Sequence, residues 1–246
     1  MLSRSELILL LPLLVVPTVL RQSQLTARRR FKLLGLVLLA STLTVVPWIG
    51  YNLSRFDEPV LLSHGDGGVL AGANCDQTYS GRLLGSWSGF CTLLNQKYEL
   101  SVESAKQRRI AFRYMRGHWT RLPVVMAARL GRVWSVFRPY QMARDAMREG
   151  KPFPVSVVGW FSYWILVALA LPGVASVRSR AHVLMSLAVP ILIVSINAVL
   201  FYGLIRFRAP AEVSLVVLAA IGLNRLAELR AERADRTLPC TRVRPL

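Results

Sequence analysis

The stretch SHGDGGVLAGANC, residues 63–75, lies near the start of the one long polar segment in a chain that is otherwise mostly apolar. This segment covers residues 52–154, and apolar, membrane-like sequence lies on both sides of it. A helix needs about 20 apolar residues to cross the hydrocarbon core of a bilayer. The pattern therefore predicts an all-α polytopic membrane protein, in which residues 52–154 form a polar module between groups of spanning helices.

Composition supports this fold class. The 246 residues are 53% hydrophobic and carry a formal net charge of +18. A basic soluble domain is usually polar, whereas basic loops between apolar helices are typical of polytopic membrane proteins. Nucleic-acid binding is the rival interpretation of such a charge, because phosphate backbones attract it. We discount nucleic acid as a partner, because the basic residues occur in short runs between apolar spans and no nucleic-acid-binding motif is present.

We expect about five transmembrane helices. They cover roughly residues 2–20 and 33–51 before the polar module, and 155–177, 183–205 and 211–226 after it. The first is short for a crossing, since it carries charged residues close to Met1. The chain thus divides into two helices with a basic loop (1–51), the module (52–154), three helices (155–226) and a basic tail (227–246).

The charge of the short loops predicts the orientation in the plasma membrane. The loop Arg21–Lys32, the turn Ser176–His182 and the tail are basic, and five crossings place all three on the same side. Short basic loops stay in the cytoplasm, whereas long loops are translocated largely regardless of charge. The module is therefore expected outside the cytoplasm. Met1 also falls outside without a signal peptide, so we expect the chain to be the C-terminal part of something longer.

Within the module, two kinds of structure are expected. Asn52–Asn95 contains seven glycines, which are typical of irregular structure. Glu99–Gly117 and Thr120–Arg138 are helical in pattern, and the second has an apolar face flanked by arginines. Such a helix either lies along the membrane surface or packs on the rest of the module. The apolar face is formed by Leu122, Val125, Met126, Leu130, Val133, Trp134 and Phe137, and the flanking residues are Arg121, Arg129, Arg132 and Arg138.

Two of the three cysteines lie in the module. Cys75 and Cys91 are sixteen residues apart, and outside the cytoplasm such a pair tends to oxidise. We expect a disulfide between them; the alternative is two unpaired buried thiols. Cys240 is expected on the cytoplasmic side and cannot join them. No Cys/His cluster has the spacing of metal ligands, so neither a metal nor another cofactor is expected.

The glycine-rich stretch allows two interpretations. His64-Gly-Asp66-Gly-Gly and Gly72-Ala-Asn74 could surround a phosphate, because glycines let backbone amides converge on an anion. Tight turns are the alternative, since no Gly-Lys-Ser/Thr follows and no strand precedes a helix here. Asp66 is a candidate general base or hydroxyl-binding carboxylate, and otherwise a turn residue.

A second set of candidate residues precedes the last crossing. Tyr202, Arg206, Arg208 and Glu212 lie at the expected outer boundary of the membrane. Arginine binds phosphate oxygens in a fork, so Arg206 and Arg208 are suited to holding the phosphate of a lipid-linked donor. The alternative is that interfacial arginines extend towards lipid headgroups.

Several of these motifs resemble one family. Tyr202-Gly-Leu-Ile-Arg-Phe-Arg-Ala-Pro-Ala-Glu212 resembles the terminal helix pair of actinobacterial membrane glycosyltransferases of the GT-C superfamily, relatives of protein O-mannosyltransferases and aminoarabinose transferases. The likeness covers nearly the whole chain but only the C-terminal half of the family's proteins. It extends to Pro47-Trp-Ile-Gly-Tyr-Asn-Leu, to Pro59-Val-Leu-Leu-Ser-His-Gly-Asp-Gly-Gly and to Leu70-Ala-Gly-Ala-Asn-Cys75.

The resemblance implies transfer of a sugar from a polyprenyl-phosphate carrier to an acceptor on the outer face of the membrane. Arg206 and Arg208 would then bind the donor phosphate, and Asp66, Asn74, Tyr202 and Glu212 are pocket candidates. The family's catalytic carboxylate lies in a first external loop without a counterpart here, so no catalytic residue is assigned.

The expected partners are membrane lipids, the polyprenyl-phosphate-linked sugar and a companion N-terminal fragment, without which we expect the chain to be inactive. A non-catalytic membrane scaffold or subunit that acts through the module is the alternative function. A transporter is less favoured, because the spans show no paired acidic residues at mid-membrane.

Overall fold

The structure is a computed structural model that describes residues 8–92 and 98–237. All regular secondary structure in these residues is helical, which confirms the all-α fold class. Within the described residues, three helices are long and apolar enough to cross a membrane. The main helices are Leu11–Leu20 (α1), Ala27–Arg55 (α2), Asp66–Ala73 (α3), Asp76–Tyr79 (α4), Leu100–Gly117 (α5), Leu122–Val133 (α6), Pro139–Ala146 (α7), Phe153–Val177 (α8), Ala181–Leu200 (α9) and Ala209–Thr237 (α10), and those three are α2, α8 and α9.

Some expected features lie wholly or partly outside the described residues. The first expected crossing, 2–20, is described from residue 8 onwards, where α1 provides only a short apolar helix. The end of the basic tail, including Cys240, is also outside, and α10 continues into the tail as far as Thr237.

Helix α2 stands apart from the other long helices. None of its most apolar window is buried within the protein. Its C-terminal end is nevertheless fixed to the chain that follows, because Trp48 Nε1 donates to the Leu62 carbonyl at 3.1 Å and Asn52 Nδ2 to the Leu61 carbonyl at 3.2 Å. An apolar helix exposed on all sides is suited to a lipid environment, where its side chains meet hydrocarbon rather than water.

Helices α8 and α10 lie in direct backbone contact. A Cβ atom on Gly173 of α8 would overlap the carbonyl oxygen of Leu218, and one on Gly222 of α10 would overlap that of Leu169. Small residues of this kind let two membrane helices approach closely and gain van der Waals contact. The glycines therefore fix how α10 lies against α8, and with it the position of the chain that leads into α10.

The glycine-rich stretch forms a helix where irregular structure was expected. Residues Asp66–Ala73 are helical, and a Cβ on Gly67 would overlap the backbone of Ser104 in α5. Glycine is a weak helix former, but the missing side chain allows α3 to pack on α5 at backbone distance. The prediction of turns was wrong for these residues, because a contact distant in sequence decides their conformation.

Helix α6 packs against other parts of the protein. Of the two interpretations of Thr120–Arg138, this agrees with a helix packed on the rest of the module and not with one that lies along the membrane surface. Helix α6 is also shorter than predicted: Ser135 and Arg138 have positive φ angles of 56° and 53°, and the chain turns there into α7. Arg129 and Arg132 are each 1% exposed, while Leu130 is exposed. Arg129 and Arg132, two of the four arginines expected to flank an apolar face, therefore belong to the buried face.

Arg129 connects the ends of two helices. Its Nη2 donates to the Ala73 carbonyl at 2.7 Å and to Asn74 Oδ1 at 2.9 Å, at the C-terminal end of α3. Its Nη1 donates to the Val199 carbonyl at 3.1 Å, at the C-terminal end of α9. Last-turn carbonyls lack helical donors and carry partial negative charge, so a cation is well suited to both ends. Burial lowers the pKa of Arg129 to about 10, which still leaves it charged at neutral pH.

Replacing Arg129 by methionine is expected to destabilise the protein strongly, because the carbonyls at both helix ends lose a charged donor. Hydrogen bonds to a charged group contribute about 1.5–3 kcal/mol each, so we expect a loss of roughly 3 kcal/mol or more. The measurement is thermal unfolding of the full chain in detergent micelles. Arg113→Met, at an exposed arginine of α5, is the control. Equal unfolding temperatures for the two variants would contradict the role of Arg129.

Candidate functional site

A cavity of about 350 Å³ lies where the segment between α2 and α8 meets the N-terminal ends of α8 and α10. Its wall combines charged groups with the indole of Trp160 and the hydroxyl-bearing Ser135 and Ser156. The charged residues that line it are Arg132, Asp145, Glu149, Lys151, Arg206, Arg208 and Glu212.

Two glycines bring the chain that precedes α10 against α6. The Gly203 amide donates to the Gly85 carbonyl at 3.0 Å, and a Cβ on Gly203 would overlap the Arg129 carbonyl. Gly85 has φ +75° and would itself meet the backbone of Ala128 if it carried a Cβ. This approach places the turn Ile205–Arg208 at the cavity, so Arg206 and Arg208 both line it.

Arg208 is a buried cation, and two of its nitrogens donate hydrogen bonds. Its side chain is 5% exposed. Its Nε donates to Glu212 Oε1 at 2.8 Å and its Nη1 to Ser135 Oγ at 2.9 Å. The guanidinium carbon lies 3.6 Å from the centre of the Tyr163 ring, a close cation–π contact. These contacts hold Arg208 in one position and balance its charge locally.

Arg206 is exposed and more loosely held. Its side chain is 53% exposed, and its Nη1 lies 3.9 Å from Glu149 Oε1. Lys151, with its side chain 58% exposed, approaches the other oxygen of the same carboxylate, Nζ to Oε2, at 3.9 Å. We call Arg206, Glu149 and Lys151 the mouth of the cavity. Both distances exceed hydrogen-bond length, so the two cations retain donors that a ligand can use.

Tyr202 contacts Arg206, one of the three residues of the mouth. It is buried, and its ring contacts Phe207 edge-on at a centroid distance of 5.0 Å. Its hydroxyl accepts a long hydrogen bond, 3.4 Å, from Arg206 Nη2. Of the sequence-predicted site residues, Arg206, Arg208 and Glu212 line the cavity and Tyr202 positions one of them.

Asp66 and Asn74 lie away from the cavity. Asp66 accepts from Arg108 Nη1 at 2.6 Å and from Ser104 Oγ at 2.8 Å, and both partners belong to α5. The Gly67 amide donates to Asp66 and to Ser104, so it is not free to bind a phosphate. The stretch 63–68 therefore joins α3 to α5.

Asn74 has a similar structural position. It is buried, and its Oδ1 accepts from the Tyr79 hydroxyl at 2.8 Å and from Arg129. Burial raises the pKa of Tyr79, which keeps its hydroxyl protonated as the donor. Asn74 thus links Arg129 to Tyr79 and takes no part in the cavity.

Four charged cavity residues were not among the sequence-predicted set: Arg132, Asp145, Glu149 and Lys151. A signal for two of them exists, because Glu149-Gly150-Lys151 comes immediately before a long apolar helix and so lies at a helix boundary. Gly150, with φ +80°, makes the turn that sets both side chains beside that boundary. No local sequence pattern indicates Arg132, because its place in the wall depends on hydrogen bonds to carbonyls that are distant in sequence.

The described residues contain no group of three or more His, Cys, Asp or Glu side chains that could hold a metal ion. The side chains of the cavity provide cations that can bind an anion, and carboxylates, hydroxyls and an indole that can contact a polar ligand.

Comparisons with protein-family models, with curated proteins and with solved structures found no match.

Cys75 and Cys91 are joined in a disulfide, with their sulfurs 2.05 Å apart. The bond connects the start of α4 with the turn Gly89–Cys91. It encloses the chain that carries Leu84 and Gly85, both of which contact the region of α6 beside the cavity.

Replacing both cysteines by serine is expected to lower stability by about 3 kcal/mol, because the bond restricts the unfolded chain. Thermal unfolding of the double variant in detergent measures the loss, with dithiothreitol-treated native protein as the comparison. Alkylation of native protein without reductant should leave Cys75 and Cys91 unmodified in a mass spectrum. Free alkylation of both would contradict the bond.

Proposed function

We propose that the chain binds a polyprenyl-phosphate-linked sugar at the outer face of the plasma membrane and takes part in transferring that sugar to an extracytoplasmic acceptor. The observation that carries the proposal is the cavity, because it places Arg206 and Arg208 beside the ends of apolar helices. A lipid phosphate lies at this depth in a bilayer, while its chain remains among the helices.

The proposal assumes five membrane crossings. Beyond α2, α8 and α9, helix α10 is a fourth, since it packs glycine to glycine against α8. Helix α1, with the residues before it, is the fifth. The basic loop and the tail then face the cytoplasm, and residues 52–154 lie outside it. The Cys75–Cys91 bond supports this orientation, because disulfides persist on the oxidising side of the membrane.

The charges of the cavity are suited to the departure of a lipid phosphate. When the bond between sugar and phosphate breaks, negative charge develops on the phosphate, and cations already in place lower the energy of that state. Arg206 is the direct ligand in this proposal. Arg208 contributes charge from the wall, where Glu212 and Ser135 hold it.

The same cavity offers groups for a sugar. The Asp145 carboxylate can accept hydrogen bonds from hydroxyl groups, and the indole of Trp160 provides an apolar surface for a sugar ring. In keeping with the resemblance, we assign the deprotonation of the acceptor to a carboxylate on a companion segment. If the cavity binds no lipid phosphate, the alternative of a non-catalytic scaffold or subunit takes precedence.

The orientation can be tested by labelling. In a Cys240→Ser background, Arg109→Cys introduces a thiol on the exposed face of α5, and Arg29→Cys introduces one in the basic loop region. A membrane-impermeant maleimide added to intact cells should label the first variant and spare the second, since only the first is outside. Permeabilised cells, in which both should react, are the control. The reverse pattern would reject the orientation.

The binding site can be tested with Arg206→Gln in the purified full chain. The probe is geranylgeranyl phosphate in detergent micelles, and its affinity is measured by native mass spectrometry. We expect affinity to fall roughly tenfold or more, because a charged hydrogen bond to phosphate contributes about 1.5–3 kcal/mol.

Two controls accompany this measurement. Arg113→Gln removes another exposed arginine, from α5, and should bind as the native protein does. Geranylgeraniol, which lacks the phosphate, should bind weakly to both proteins. Native affinity in Arg206→Gln, or equal binding of the alcohol and the phosphate, would remove the phosphate site and with it the proposed function.

A further inference from the structure

The carboxylate of Glu149 stands between two cations at the mouth of the cavity. Its Oε1 faces Arg206 Nη1 and its Oε2 faces Lys151 Nζ, each at 3.9 Å. A phosphate group presents oxygens in several directions and would be approached by the same two cations in the same way. The carboxylate thus stands where a bound phosphate would lie.

We propose that Lys151 and Arg206 together form the phosphate site, and that Glu149 occupies this site until a phosphate ligand displaces it. The inference deepens the proposed function and rests on it. It assigns a ligand contact to Lys151 and makes Glu149 an internal competitor that sets the affinity.

The other two arginines of the cavity are already engaged. Arg132 donates to the Leu84 carbonyl at 2.6 Å and to the Arg82 carbonyl at 2.9 Å. Arg208 donates to Glu212 and Ser135. A ligand would compete with these buried acceptors for either guanidinium. Among the cavity cations in the described part of the chain, Lys151 and Arg206 are the ones whose ionic contact is long and solvated.

Glu149 is suited to displacement. Its side chain is 42% exposed, and an ion pair in such a setting is weak because water and salt screen it. The polyprenyl phosphate released on sugar transfer, like the geranylgeranyl phosphate used as the probe, carries more charge than one carboxylate and has three acceptor oxygens. Glu149 also ends the short turn Met147–Glu149 and is followed by Gly150, so its side chain can turn away without disturbing α7 or α8.

Asp145 differs from Glu149 although both carboxylates line the cavity. Asp145 pairs with Arg82 at 3.4 Å and accepts from Gln141 Nε2 at 3.2 Å. It lies against neither cation of the mouth, so it should influence an anion only through its overall charge. Asp145→Asn is therefore the matched control for Glu149→Gln.

The experiment measures the affinity of the full chain for geranylgeranyl phosphate in detergent micelles. Glu149→Gln should bind roughly fivefold more tightly, the scale expected for removing the weak, solvent-exposed ion pairs of this carboxylate. Lys151→Gln should bind roughly tenfold more weakly, as expected for loss of a charged phosphate contact. Asp145→Asn should change affinity by less than Glu149→Gln. Elution as a single species in size-exclusion chromatography establishes that each variant is folded.

The outcomes separate the two proposals. Unchanged or weaker binding in Glu149→Gln, an equal gain in Asp145→Asn, or native binding in Lys151→Gln would each overturn this inference. Weakened binding in Arg206→Gln would then still leave the proposed function standing. Native affinity in both Lys151→Gln and Arg206→Gln would overturn the two together.

Discussion

A helix that ends inside a protein leaves carbonyl oxygens that need donors, and the guanidinium of Arg129 supplies them at two such ends. It connects the end of α3, through Ala73 and Asn74, with the end of α9, through Val199. The chain that leaves α9 then passes beside α6. A glycine is needed at position 203, because a Cβ atom there would overlap the Arg129 carbonyl. The turn that carries Arg206 and Arg208 follows at once, so the position of the cavity depends on this one buried cation.

The second constraint comes from the membrane helices. Backbone contact between α8 and α10 at Gly173 and Gly222 leaves little freedom in how these helices lie together. The N-terminal ends of α8 and α10 form part of the cavity wall, to which they contribute Trp160 and Glu212. The wall is therefore held by α6 on one side and by a rigid helix pair on the other. Exposed side chains at the mouth are the part that remains adjustable.

Local pattern predicted much of this fold from sequence, and distant contacts account for what it missed. The long apolar runs identified α2, α8 and α9, because length and hydropathy are properties of one segment. Gly67 and Gly68 were interpreted as turn residues. Both pack against α5, where a larger side chain would have little room, and α5 lies far along the chain. Arg129 and Arg132 were interpreted as residues that flank an apolar face, because the carbonyls that accept from them in the interior belong to segments distant in sequence. Glu149 and Lys151 were missed for the same reason, because they lie far from Arg206 in the sequence and meet it only in the folded chain.

Arginine is abundant in this chain, and burial divides the cavity's arginines into two chemical classes. A buried guanidinium is stabilised by the acceptors around it, as Arg132 is by backbone carbonyls and Arg208 by Glu212. Giving those bonds up to a ligand would leave buried acceptors unpaired, which costs more than one new contact returns. An exposed cation has water as its alternative partner and exchanges it for a phosphate at little cost. For this reason we assign the proposed anion site to Arg206 and Lys151, and to the buried arginines the shape of the wall behind it.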